Sequence, residues 1–122
     1  MISSRVLSRS FSVGIAVVFA LAAVFHLAAI RVPGLGGDVS AARHGVFVAV
    51  NAACAIGFAR REPSGIFVAA FILLVAQQLV SHGGDLLSHW FEHGRLDVTS
   101  LVIVLAMPVV ALIAFLRWRS YA

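Results

Sequence analysis

His82, Asp85, His89 and His93 are spaced so that a helix carries all of them on one stripe less than a quarter-turn wide, with Glu92 just beside it. His89 and His93, at i and i+4, can present two imidazoles to one ion. Asp85, one turn before His89, can ligate directly or fix the tautomer of a histidine by taking its N–H. Imidazole and carboxylate without thiolate suit a transition metal: zinc, copper(II), iron(II) or manganese. The single cysteine, Cys54, lies in the middle of an apolar run and offers neither a disulfide nor a thiolate site.

The remaining histidines, His26 and His44, fall near the same end of their own apolar segments. The expected metal ligands are therefore His26, His44, His82, Asp85, His89 and His93. His82, Asp85 and His89 form the core, His44 or His26 completes it from another helix, and His93 is the member most readily left solvated. Gln78, one turn before His82, is placed to donate a hydrogen bond to a ligand. Gly83-Gly84 would weaken the set if it interrupted the helix, for Asp85 would then become a helix cap. A second cofactor fits the same residues, a b-type haem with His26 and His82 as axial ligands. Three protein ligands with an open position would generate a metal-bound hydroxide, and a closed set would bind structurally or in transport. No Gly-x-Ser-x-Gly or His-Glu-x-x-His motif accompanies the cluster, so no reaction is assigned.

What must position these residues is a membrane domain. The chain of 122 residues is 61% hydrophobic and only 11% charged, and its mean hydropathy is +1.04, far from the balance of a soluble domain. Apolar runs at about 11–30, 39–59, 64–81 and 98–116 are each near the roughly 20 residues that a helix needs to cross a hydrocarbon core. They lack the alternation of barrel strands. The expected fold is an all-α integral membrane protein of one domain, a four-transmembrane-helix antiparallel bundle. Trp90 and Phe91 suit the headgroup region, so 82–97 is expected as a short interfacial helix between the third and fourth spans or as a continuation of the third. Gly94 is the expected stop, Asp97 the cap of the fourth helix, and Asp38 or Ser40 the cap of the second.

The basic residues are all arginine, which with the alanine richness suggests a bacterial source, and they flank the runs rather than forming a patch for nucleic acid. With the N-terminus inside, Arg5, Arg9, Arg60, Arg61, Arg117 and Arg119 lie on the cytoplasmic side and Arg31, Arg43 and Arg95 outside, which satisfies the positive-inside rule. Asp38, Asp85, Glu92 and Asp97 then join every histidine at the outer, periplasmic face of an inner-membrane protein. The first run, though preceded by arginines, is long for a signal core and is expected to be retained. Ala49, Ala53 and Gly57 offer a small-residue face for close helix packing, Pro108 a local bend. Asn51 and Gln77 taken singly read as interhelical hydrogen bonds of about 1 kcal/mol.

The implied partners are the lipid bilayer and either further copies of the chain or a larger membrane complex. An accessory subunit of a respiratory or photosynthetic assembly is the alternative to metal binding, with the histidines as contacts to other subunits. Quinone or lipid headgroups would also suit histidine and aspartate beside Trp90 and Phe91. A pore is disfavoured, because the polar groups stop halfway across the membrane.

Overall fold

The computed structural model describes residues 4–122, with side chains from residue 8 onward; the side chain of Arg5 lies outside that range. The chain forms four helices, α1 (Ser4–Arg31), α2 (Ala41–Ala59), α3 (Gly65–His93) and α4 (Val98–Tyr121). All four are long and apolar enough to cross a membrane. They fall into two compact units, Met1–Arg61 and Glu62–Ala122, each a pair of helices joined by a short connection.

The expected boundaries hold where the sequence punctuates itself. Ser40 caps α2 by accepting the Arg43 amide, and Ser64 caps α3 by accepting that of Phe67. Asp97 caps α4 by accepting the Thr99 amide. Each takes up one of the amides that a helix start leaves without an intrahelical partner. Asp38, the other cap considered for α2, is exposed in the connection. Gly94 ends α3 in the left-handed conformation, φ 63°, where a Cβ would be strained.

The segment after residue 81 takes the second of its two expected forms, a continuation of the third helix and not a separate interfacial one. It is the last three turns of α3, which runs unbroken through Gly83-Gly84. Glycine costs a helix about 1 kcal/mol relative to alanine, and without a proline or a competing cap two glycines do not stop one that is well formed on both sides. α4 likewise carries Pro108 without interruption.

Within the first unit α1 and α2 are antiparallel. The Ser12 hydroxyl donates to the Phe58 carbonyl at 2.8 Å near one end, and the rings of His26 and His44 meet near the other. The seam follows alternating steps of four and three. Ser12, Ala16, Phe19, Ala23 and His26 line it from α1; His44, Phe47, Asn51, Cys54 and Phe58 line it from α2, all buried or half-buried. Such a 3.5-residue period keeps one stripe of each helix on its partner. Small side chains of α1 leave room for the aromatic ones of α2, and Phe19 stacks on Phe58 at 5.8 Å. The small-residue face expected on α2 is not this seam. Gly57 is buried, but Ala49 and Ala53 are exposed.

The second unit repeats the design. His82 of α3 meets Ser100 of α4 at one end, and Gly65 lies against the indole of Trp118 at the other, so these helices too are antiparallel. Val68, Phe71, Val75, Gln78 and His82 mark the α3 stripe, again by threes and fours, and Ser100, Ala114 and Arg117 are the buried positions of α4. Many large apolar side chains, among them Ile66, Leu73 and Val80, stand outside these seams, as the lipid-facing surface of a membrane helix requires.

Candidate functional site

The polar chemistry of the chain gathers where each hairpin approaches its connection, at 32–40 in the first and 94–97 in the second. In the first, Nδ1 of His26 lies 2.9 Å from Nδ1 of His44. His44 is 3% exposed, and its Nε2 faces the carbonyl of Gly36 at 3.4 Å. A Cβ at position 36 would overlap that ring, so the close approach of the connection to His44 depends on glycine.

The proton positions follow from the partners. A carbonyl can only accept, so His44 Nε2 carries a hydrogen, and the neutral ring then has its lone pair on Nδ1. His26 must therefore donate from its own Nδ1, and its lone pair resides on Nε2. The rings of Phe25 and Phe47 pack on His26 at 5.4 and 4.9 Å. Both nitrogens of His44 are thus spent on protein partners.

In the second hairpin a chain of three side chains crosses from helix to helix. The Ser100 hydroxyl donates to the carboxylate of Asp97 at 2.5 Å, and His82 Nδ1 lies 3.1 Å from the same hydroxyl oxygen. Because the serine proton is committed to the carboxylate, its oxygen accepts from His82. The His82 ring is thereby fixed with Nδ1 protonated, its Nε2 making no hydrogen bond among the described residues. Ser100 is buried at 1% exposure. The hydrogen bond from Ser100, with the amides of Ser100 and Thr99 and the nearby His89, holds the Asp97 carboxyl below the usual carboxylate range against a desolvation that opposes it. Asp97 thus caps α4 with one oxygen and orders His82 through the other.

About two helical turns beyond His82, the rings of His89 and His93 stack with centroids 4.5 Å apart and planes 27° from parallel. His93 is exposed and His89 half-buried. Asp85 is exposed on the same stripe, and its backbone carbonyl accepts from the Ser88 hydroxyl. No known protein family, curated protein or solved structure matches this chain.

The six expected ligands are therefore distributed in three places. His26 is joined to His44, His82 to Ser100 and Asp97, and His89 to His93, with Asp85 one turn before His89. Among the described residues no three of His, Cys, Asp and Glu converge on one point. The reason for α3 is its straightness. Residues seven apart share a face but stand about 10 Å apart along the axis, which separates His82 from His89 even though the stripe unites them.

Two expected cross-helix contacts resolve locally. Asn51 donates to the Phe47 carbonyl of its own helix at 2.7 Å, and Gln78 donates to its neighbour Gln77 at 2.7 Å. Ser12 and Ser100 were missed as functional partners. Their signal lay in the seam period, which places Ser12 fourteen residues before His26 and identifies small hydroxyls at positions where only packing residues were sought.

Proposed function

We propose that this protein binds a transition-metal ion, zinc, copper or iron, at the end of its second hairpin, with the imidazoles of His89 and His93 as the protein ligands. What carries the reading is the stacked His89–His93 pair at i and i+4, half-buried at His89 and exposed at His93, on the last turns of a 29-residue helix. Two imidazoles already side by side bind one ion with little further loss of freedom, and imidazole is the ligand that zinc, copper and iron share. Asp85 supplies a carboxylate one turn away, and the negative charge of Asp97 favours a cation there. By the arginine bias, this end faces the periplasm of a bacterial inner membrane, with both termini in the cytoplasm.

Haem binding is the second reading, and it rests on a different residue. The Asp97–Ser100–His82 chain leaves His82 with the free Nε2 lone pair that an axial ligand needs.

Purified full-length protein should take up one Zn²⁺ or Cu²⁺ per chain in a calorimetric titration. H89A and H93A should each weaken binding by about tenfold or more, the equivalent of 1.4 kcal/mol, whereas H82A should leave it unchanged. A Soret band lost in H82A would replace this reading with haem. No metal or pigment, together with large co-purifying membrane subunits, would replace it with the accessory-subunit role.

A further inference from the structure

We propose that the His26–His44 pair is a binding site for a single proton, and that it fastens the connection at 32–39 to the first hairpin. The site lies wholly within that hairpin and uses none of the proposed metal ligands. It stands or falls separately from the metal reading.

The bond between the two rings needs one N–H and one lone pair across the 2.9 Å between the Nδ1 atoms. In the neutral pair His26 supplies the hydrogen and His44 the lone pair, because the Gly36 carbonyl holds the His44 hydrogen on Nε2. A first proton has one place to go without breaking anything, Nε2 of His26. The resulting imidazolium donates a stronger bond to His44. A second proton can bind only at His44 Nδ1, and it would set two N–H groups and two positive charges against each other. The two protons are therefore not equivalent: the bond between the rings survives the first and not the second.

The surroundings favour this single-proton behaviour. His44 is 3% exposed, so water does not replace the lost bond freely. Phe47 packs on both rings and Phe25 on that of His26. The charged groups at this end of those elements, Arg31 at the end of α1, Asp38 in the connection and Arg43 in the first turn of α2, are all exposed. Among the described residues no carboxylate joins the two rings to neutralise a second charge.

Opening the pair has a mechanical consequence. His44 touches Gly36 so closely that a Cβ there would overlap its ring. Gly36 in turn accepts the Val39 amide, and the Leu35 amide bonds Val32. A charge on His44 would be unpaired at 3% exposure, so the ring is drawn toward water, and the turn that packs on it at Gly36 loses its attachment.

The test uses the full chain in lipid nanodiscs, with ¹⁵N-labelled histidine observed by NMR and amide exchange measured at Leu35 and Val39. At neutral pH the expected tautomers are Nδ1–H for His26 and Nε2–H for His44. Acidification should add the first proton to His26 Nε2 with the Leu35 and Val39 amides still protected. The second step should speed their exchange by roughly 5- to 10-fold, the effect of losing one hydrogen bond of ordinary net strength. H26N keeps a donor toward His44 but has no titrating ring, so it should abolish the first step and retain protection at neutral pH. H44A should lose that protection at neutral pH. Protection of the α1 and α2 amides shows that each variant is folded. Independent titration of both rings in one step would overturn the proposal, as would unchanged Leu35 and Val39 exchange in folded H44A, or loss of their protection in folded H26N.

Discussion

Each hairpin brings a histidine of its first helix to a polar group near the start of its second, and the two finish the contact with different chemistry. His26 ends on another imidazole and then on the neutral carbonyl of Gly36; His82 ends on a hydroxyl and then on the carboxylate of Asp97. The difference decides which charge each can hold. His82 keeps its Nε2 outside the chain of bonds, with a negative charge two hydrogen bonds away, whereas both nitrogens of His44 are spent on neutral protein partners. Similar helix geometry thus yields a cation-tolerant end in one unit and a charge-limited end in the other.

The comparison breaks most violently at the packing of the seams. Phe58 and Phe71 are each 2% exposed, one in each hairpin. Truncation of a buried phenylalanine costs about 3–5 kcal/mol. F58A should expose the amides of α1 and α2 to exchange and F71A those of α3 and α4, and equal loss from both hairpins in either variant would show that they do not have separate cores.

A smaller effect separates the two glycines that approach rings. G36A sets a Cβ against the His44 ring, while G65A meets the Trp118 indole at 3.3 Å, a contact that a slight shift relieves. Overpacking of the first kind costs about 1–3 kcal/mol. Thermal unfolding in detergent should therefore rank G36A well below G65A. Equal melting points would mean that His44 does not depend on the close approach of the connection.

S100A tests the second hairpin, since it leaves the His82 N–H and a face of the Asp97 carboxylate without their partner. The hydroxyl itself is buried, so its loss should lower the melting temperature, though by less than G36A does. Threonine keeps the hydroxyl, so S100T should recover most of the loss and restore the Nδ1–H tautomer of His82 in NMR. Failure of S100T to recover either would point to packing rather than the hydroxyl.

The mildest contrast is in acid. The Asp97 carboxyl is held below its ordinary range chiefly by the Ser100 hydroxyl. Its contribution is complete above the unfolded value, near 3.9 for a free aspartate, and disappears as pH falls through the lower folded one. The second hairpin should lose protection in that window and D97N should flatten the dependence. An acid limb that persists in D97N would assign it to another group.

The membrane-spanning helices were legible because apolar runs near 20 residues have few alternatives, and the ends were legible wherever Ser40, Ser64, Gly94 or Asp97 supplied a cap or a stop. Whether α3 continued past residue 81 or gave way to a separate helix was left open because Gly83-Gly84 resembles a break, and the competing effect, continued hydrogen bonding on both sides, leaves no local mark. His26 and His44 were correctly set near the same end of neighbouring helices. Their direct bond was not legible, since it depends on how the seam rotates each helix. The stripe on α3 was real, but a periodic pattern reports direction and not distance along the axis. Asp97 was recognised only as a cap because its partners, Ser100 and His82, join it through the seam and not through sequence spacing.

The unequal lengths of the helices carry a consequence of their own. α2 has 19 residues and α3 has 29, so at 1.5 Å per residue α3 is about 43 Å long against a hydrocarbon core of roughly 30 Å. If α3 enters the hydrocarbon at its start, the surplus is the segment that holds His89 and His93. In a thin bilayer these rings would stand in water, and in a thicker one they would be drawn toward the ester groups of the lipids. Membrane thickness would then act as a rheostat on whatever the two imidazoles hold.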